Sequence, residues 1–378
     1  MRRPFYLVLL LIFLAIAARG IQVTAPFAAL SDALKMIRSA NLSQYKALYY
    51  QQLEDKVVRC QLCPNRCTLA NLARGSCGVR INLDGELYTL VYGKPLAVHV
   101  DPIEKKPLSH FLPGTTAFSI STAGCNLGCI FCQNWQISQV KPEEAAHYDL
   151  DPEQTVELAL KEKAPTIAYT YTEPTVFYEY MLETAKLAKS RGLRNVMHSC
   201  GYINPAPLKA LLPYMSACNI DLKGFSEDYY EQFSSGRLQP VLETIKTIKR
   251  SGVWLEITNL VVPGQNDDPA MIRAMCRWIK ANVGPDVPLY FAAFYPNYKL
   301  QNLPPTPVET LEKAHAIARG EGLNYVYIGN VFGHVKEQTY CPKCGKIVIK
   351  RLGYSIEEVD LVNGKCKYCG YKIAGVWR

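Results

Sequence analysis

The chain of 378 residues lacks an apolar run long enough to span a bilayer, and it lacks net charge across its middle. Its longest apolar stretch, Phe5–Ala18, would make about 21 Å of helix against the roughly 30 Å of a hydrocarbon core. Of the net charge of +9, residues 1–20 carry +3 and residues 336–378 carry +5, which leaves +1 for the 315 residues between. A nearly neutral core gives no electrostatic footprint for nucleic acid, so no nucleic acid is expected as a partner. The basic tail reads as a solvated face. The cysteines also lack the spread of a disulfide framework. Of fourteen, eleven fall into three tight groups, and Cys200, Cys218 and Cys276 stand alone. Such grouping reads as metal ligation. With 49% apolar and 20% charged residues, the chain can bury a full core.

Residues 1–24 read as a signal-like leader or an anchor. Arg2 and Arg3 precede the apolar stretch, and Ala15-Ile16-Ala17 offers a small-x-small cleavage signal. The paired arginines resemble a twin-arginine leader, whose pathway exports proteins already folded around cofactors. A start at Met36 is a third reading. The leader favours a membrane-associated or exported protein, whereas the chemistry below favours the cytoplasm, and the sequence does not choose.

From Ala117 to Asn330 strand-like runs alternate with helical ones. The strands read Ala117–Thr122, Thr166–Thr172, Arg194–Cys200, Cys218–Lys223, Trp254–Val262, Leu289–Tyr295 and Tyr325–Gly329. Amphipathic stretches at Val176–Arg191, Pro240–Arg250, Ala270–Val283 and Val308–Gly320 lie between them. Repeated βα units predict an α/β fold with a parallel sheet. The length suits an open, partial (β/α)6-type TIM-like barrel of six or seven strands better than a closed eight-strand one. The predicted divisions are 25–105 for an N-terminal four-cysteine module, 106–335 for the barrel and 336–378 for a small C-terminal module.

In parallel barrels chemistry gathers where the strands end. Here those ends carry Tyr171-Thr172-Glu173, His198-Ser199-Cys200-Gly201, Asp221 and Lys223, with Asn259 in the fifth strand and Tyr295-Pro296-Asn297-Tyr298 after the sixth. The first strand runs into Cys125-Asn-Leu-Gly-Cys129-Ile-Phe-Cys132. Three thiolates on one loop, with no fourth cysteine beside them, can hold three corners of a cubane cluster and leave one iron open. A zinc site would want four ligands.

C-x3-C-x2-C resembles the signature loop of the radical S-adenosylmethionine (SAM) enzymes. That resemblance implies a [4Fe-4S] cluster whose open iron the amino and carboxylate groups of SAM could chelate. It implies reductive cleavage of SAM to methionine and a 5′-deoxyadenosyl radical, which abstracts hydrogen from a substrate. The substrate is a small molecule or a protein that the sequence does not identify. A one-electron donor such as flavodoxin or ferredoxin is an expected partner. Glu173 can hold the SAM ammonium, Lys223 can pair with its carboxylate, and Gly201 would let the backbone approach.

The stretch Asp101-Pro-Ile-Glu-Lys-Lys-Pro-Leu-Ser-His-Phe-Leu-Pro-Gly114, with Thr122-Ala-Gly running into the cysteine loop and on to Trp135, resembles the radical SAM member of the AmmeMemoRadiSam system. Cys60-Gln-Leu-Cys-Pro-Asn-Arg-Cys67, Cys77-Gly-Val-Arg80, Tyr171-Thr-Glu-Pro174, Asn219-Ile-Asp-Leu-Lys223 and Val261-Val-Pro-Gly264 match as well. The likeness runs from about residue 45 to the C-terminus. It implies companion proteins of the AMMECR and MEMO types and a relation to the activating enzymes of pyruvate formate-lyase. By that relation Glu173 takes the place of a SAM-binding carboxylate, with Tyr171 and Thr172 standing where glycines are usual. Ser199 falls in a Ser/Thr-Asn-Gly turn whose middle position is here Cys200, and Asp221 and Lys223 match an Asp-x-Lys used around SAM. Of the histidines, His198 is the best placed for a SAM or substrate contact.

Cys60, Cys63, Cys67 and Cys77 supply four more thiolates, for a second iron–sulfur cluster or a structural zinc. Cys341-x2-Cys344 and Cys366-x2-Cys369, each followed by glycine, form a zinc-ribbon pattern, with zinc favoured over iron. A 43-residue module needs such a staple to fold. Two other readings are weighed against the radical SAM enzyme of unidentified substrate. One is an activase that installs a glycyl radical. The other is an iron–sulfur and zinc-ribbon binding protein without catalysis.

Overall fold

A computed structural model describes residues 27–378. The leader-like stretch at 1–24 lies outside the described residues. Among the described residues, no helix is long and apolar enough to cross a membrane.

One eight-stranded sheet organises the chain. Its strands are β1 (Ala97–Pro102), β2 (Thr116–Ser121), β3 (Thr166–Tyr169), β4 (Arg194–Ser199), β5 (Ala217–Asp221), β6 (Trp254–Val261), β7 (Leu289–Ala293) and β8 (Val326–Gly329). They lie side by side in simple chain order from β1 to β8. Strands β2 to β8 are parallel, and β1 pairs antiparallel with β2. The seven parallel strands follow the runs expected from sequence, mostly ending one or two residues earlier. The edge strand β1 is additional: its pattern is half exposed, so hydrophobic periodicity did not mark it.

Serial order has a geometric consequence. Each right-handed crossover adds its strand beside the last one, so the covering helices accumulate on one face and the sheet curls. The curl stays open, because β8 and β1 do not pair. Helices Tyr178–Ser190, Leu238–Ser251, Pro269–Val283 and Val308–Gly320 match the amphipathic stretches. Pro152–Lys161 adds another. Its start is fixed by a capping box, in which Asp151 accepts from Gln154 N at 2.8 Å and Gln154 returns a bond to Asp151 N at 3.0 Å. Fully buried strands such as Leu289–Ala293 cover both faces between these helices and the barrel interior.

The segment from Ile103 to Thr115, joining β1 to β2, passes beneath the open barrel. Buried Glu256 on β6 holds it by accepting four donors: Ser109 N at 3.0 Å, His110 N at 2.9 Å, Trp254 Nε1 at 2.9 Å and Tyr290 Oη at 2.6 Å. Burial raises the Glu256 carboxyl above its ordinary pKa even so. Asn219 Nδ2 on β5 donates to Pro107 O at 2.8 Å. His110 binds Ala374 O and the Tyr327 hydroxyl. A carbonyl can only accept, so Nδ1 carries the proton and Nε2 accepts. Burial lowers this imidazole to about 3, so it is neutral and structural.

The N-terminal part forms two small antiparallel sheets, Tyr45–Lys46 with Glu86–Thr89 and Arg80–Leu83, and Tyr50–Gln52 with Val58–Cys60 and Thr68–Leu69. A buried ion pair fastens it to the helix Tyr178–Ser190: Arg80 Nη2 reaches Glu179 Oε2 at 2.6 Å, and Glu179 also accepts from Leu48 N at 2.7 Å. At the other end, Ile347–Leu352 pairs with Thr339–Tyr340 and Ser355–Val359. This module packs Val348, Cys341, Cys366 and Ile373 against Tyr290, Tyr325 and Tyr327 of the barrel.

Replacing Glu256 by Leu strands three donors, because Ser109 N keeps Tyr290 Oη as an acceptor at 2.9 Å, at a cost on the order of 3–5 kcal/mol. Chemical denaturation should record that loss. A loss below about 1 kcal/mol would show that this carboxylate does not hold the segment.

Candidate functional site

The carboxyl ends of the parallel strands open into a cavity of about 850 Å³. Cys125, Cys129 and Cys132 line it, as do Glu173, His198, Ser199, Cys200, Asp221 and Lys223. The predicted rim is therefore one site. Asn259, Tyr295, Asn297 and Tyr298 are absent from its lining. Asn259 is buried and donates to Leu222 O at 2.7 Å, which serves the fold. Tyr295 is turned outward, with its hydroxyl on Asn330 O at 3.0 Å.

The cysteine loop leaves β2 and returns on the short helix Trp135–Ser138. Cys125 Sγ accepts from Leu127 N at 3.4 Å, and Cys132 Sγ lies 3.2 Å from Ser138 Oγ. Burial pushes the free thiols of Cys125 and Cys129 up, with the Lys223 ammonium pulling Cys129 back. Three thiols facing one cavity, with an ammonium beside them and no fourth thiol ligand in the loop, fit a cluster held at three corners.

Glu173 follows β3 and ties it to β4. Its Oε1 accepts from Ser199 Oγ at 2.7 Å, Thr175 Oγ1 at 2.6 Å and Thr175 N at 3.1 Å. Its Oε2 accepts only Cys200 N, at 2.7 Å. One oxygen is therefore saturated, and the other keeps acceptor capacity. Ser199 in turn accepts from Gly201 N at 2.9 Å, so it orients the carboxylate and the turn. Gly201 has φ +68°, and a Cβ there would meet Ile220 Cγ2 at 3.0 Å. That turn admits only glycine without strain.

Asp221 at the end of β5 accepts from Lys223 Nζ at 2.7 Å and lies 3.0 Å from His198 Nε2. Burial works against its charge, but Lys223 and His198 hold the carboxyl well below the usual range. Lys223 is held above its ordinary pKa by Asp221, again against burial. His198, Asp221 and Lys223 thus form one fixed polar group beside the cysteine loop. Cys200 also lines the cavity, and its thiol is pushed up by burial among Lys223, Glu173 and Cys125.

Tyr171 has φ +64°, the left-handed region that glycine enters freely. Its hydroxyl donates to Asp101, and Lys106 Nζ stands 4.4 Å from its ring centroid. Lys106 is itself paired with Asp101 at 2.6 Å. These contacts hold a tyrosine in a turn that glycine enters without strain. They also give the Asp101-to-Lys106 motif a local task.

The sequence did not reveal that the C-terminal module reaches this cavity. Glu337, Arg351, Gly353 and Tyr354 line it together with Glu104 and Lys105. Arg351 is buried, donates to Ser109 O at 2.8 Å and Thr339 Oγ1 at 2.7 Å, and has no carboxylate partner among the described residues. Nothing local marks such residues, because a long-range packing contact brings them there.

Cys341, Cys344, Cys366 and Cys369 bring their sulfurs within 4.8 Å of one another. Cys341 and Cys369 are 3.6 Å apart, and Cys344 and Cys366 are 3.7 Å apart. A tetrahedral ion with bonds of about 2.3 Å sets sulfurs about 3.8 Å apart, so this set could hold one metal ion.

Comparison with known proteins defines the class. The Radical SAM superfamily profile matches residues 119–276, from β2 into the helix after β6, which is less than half of the chain. That match identifies an iron–sulfur, SAM-dependent enzyme. An uncharacterized protein of Methanocaldococcus jannaschii is 46% identical over 330 residues, covering 87% of this chain and 98% of that one, which makes the two members of one family. A second uncharacterized protein of that organism is 24% identical over 289 residues, covering 71% and 76%. Among solved structures, a radical SAM methyltransferase from Sphaerobacter thermophilus is 15% identical with a TM-score of 0.46, covering 63% of this chain and 71% of its own. A domain of pyruvate-formate lyase-activating enzyme from Bacteroides vulgatus is 14% identical with a TM-score of 0.39, covering 43% and 98%.

The ribbon geometry generates a direct expectation. The Cys341–Cys369 set should carry one tightly held metal ion that survives substitution of Cys125, Cys129 and Cys132. The Cys344→Ala, Cys366→Ala double variant should lose that ion and lower Tm by several degrees or more. Elemental analysis with calorimetry decides it; an unchanged metal content in the double variant would contradict the assignment.

Proposed function

We propose that Cys125, Cys129 and Cys132 bind a [4Fe-4S] cluster, and that Glu173, Ser199, Asp221 and Lys223 hold SAM against it. The convergence of these seven side chains on one cavity carries the reading. When bound, the cluster supplies the electron that splits SAM into methionine and a 5′-deoxyadenosyl radical, which takes hydrogen from the substrate. The free lone pairs of Glu173 Oε2 suit the SAM ammonium, and Ser199 fixes the direction in which that oxygen faces. Lys223 offers its ammonium to the methionine carboxylate, with Asp221 and His198 restricting its position. The cavity of about 850 Å³ stands at the upper end of the usual range for ligand pockets, room enough for SAM and a second molecule.

The motifs from Asp101 to Trp135 and at Cys60–Cys67 support a finer placement, as the radical SAM member of an AmmeMemoRadiSam system with AMMECR- and MEMO-type companions. Zinc is the metal proposed for Cys341, Cys344, Cys366 and Cys369, because four thiolates at tetrahedral spacing leave no open position. The metal is then structural, and it braces the module that carries Arg351 and Tyr354 to the cavity.

Anaerobic reconstitution with iron and sulfide, then dithionite and SAM, should yield 5′-deoxyadenosine from the wild type and none from the Cys125→Ala, Cys129→Ala, Cys132→Ala variant. Lys223→Met should keep the cluster and cut the rate by tenfold or more. Iron bound at the loop without SAM cleavage would overturn the catalytic reading in favour of a scaffold.

A further inference from the structure

We propose that Cys60, Cys63, Cys67 and Cys77 hold a second, fully ligated [4Fe-4S] cluster that passes electrons to the Cys125–Cys132 loop. The relay rests on the function proposed for that loop; the identity of the second centre does not.

Two of the four thiols converge on Gly75. Cβ on Gly75 would lie 3.6 Å from Cys77 Sγ and 3.9 Å from Cys67 Sγ. Yet their sulfurs do not close as the ribbon's do. Among the described residues, the Cys341 set is the one group of ligand atoms that falls within 4.8 Å. A single tetrahedral ion draws thiolates to about 3.8 Å. A cubane places four irons between its thiolates and spreads them further. The open spacing therefore fits a cluster and not a lone zinc.

The surroundings suit an anionic cluster. Backbone amides of Asn65 and of Val79 and Arg80 point at Cys63 and Cys77. The buried Arg80 guanidinium lies within electrostatic reach of Cys60 and Cys77. Its Nε has no partner. Amides and positive charge beside the thiolates stabilise the more negative, reduced form.

The two cysteine loops also touch at both ends. Asn65, between Cys63 and Cys67, donates from Nδ2 to Asn126 O at 2.8 Å, and Asn126 follows Cys125 directly. At the other end, a Cβ on Gly124 would lie 2.5 Å from Cys77 O. Gly124 has φ +91°, so two constraints require glycine where the loops meet. Asn204 clamps the same loop by donating to Cys63 O at 3.0 Å and Gln61 O at 2.7 Å. These contacts join the two cysteine loops directly. A flavodoxin- or ferredoxin-type donor would give one electron to the outer cluster. That cluster would be reoxidised in giving it to the inner one, with no bond or proton change at the cysteines.

Full-length wild type and the Cys125→Ala, Cys129→Ala, Cys132→Ala variant are reconstituted with iron and sulfide and analysed for acid-labile sulfide, by Mössbauer spectroscopy and by EPR. The proposal expects about eight sulfides per chain in the wild type and about four in the variant. The variant's EPR signal after dithionite should be unchanged by SAM. In the fully reduced wild type, two neighbouring spins should broaden each other, and the variant should show one simple signal. About four sulfides in the wild type, with zinc in the N-terminal set, would overturn the second cluster even if the variant precipitates. A wild-type spectrum equal to the sum of two isolated clusters would overturn the relay. Failure of SAM chemistry at the inner loop leaves the variant's sulfide count untouched, so the two ideas are judged separately.

Discussion

Parallel strands added one beside the next must all point the same way, and the site depends on that constraint. Strands β2 to β5 deliver the cysteine loop, Glu173, Ser199 and Asp221 to one rim, although Cys125 and Asp221 are 96 residues apart. An antiparallel arrangement would have sent alternate groups to opposite ends. Serial order also leaves the barrel open between β8 and β1. The Ile103–Thr115 segment bonds to β5 and β6, and the C-terminal module packs on Tyr290, Tyr325 and Tyr327. Glu256, with four donors on one buried carboxylate, joins the sheet to that segment.

Inside the rim, a second tier of contacts fixes what the strands deliver. Ser199 and Thr175 saturate one oxygen of Glu173 and leave the other available, while Asp221 sits between His198 and Lys223. These groups are preorganised by their neighbours, so SAM would meet them with little reorganisation. Tyr171 shows what this precision costs. It keeps φ +64° only because Asp101 and Lys106 engage its hydroxyl and ring.

Much of this was legible in the sequence. The alternation of apolar strands and amphipathic helices located seven parallel strands, and strand ends carrying Glu173, His198, Asp221 and Lys223 pointed at the rim. Local signals sufficed there, since each residue follows its own strand. They failed where the determinant is long-range. Edge strand β1 is half exposed, and Arg351 and Tyr354 reach the cavity only because a separate module docks on Tyr290, Tyr325 and Tyr327. Asn259 and Tyr295 failed for another reason. A polar residue in or after a strand can serve a backbone carbonyl as readily as a ligand, and spacing does not distinguish the two.

The central claim is that SAM binds directly to a cluster held by three cysteines in this rim. Electron–nuclear double resonance on the reduced, reconstituted protein, with SAM carrying 15N at its amino group, tests it most directly. The account predicts a hyperfine coupling from that nitrogen, present in the wild type and lost with Cys125, Cys129 and Cys132. A cluster spectrum that SAM leaves unaltered would contradict it.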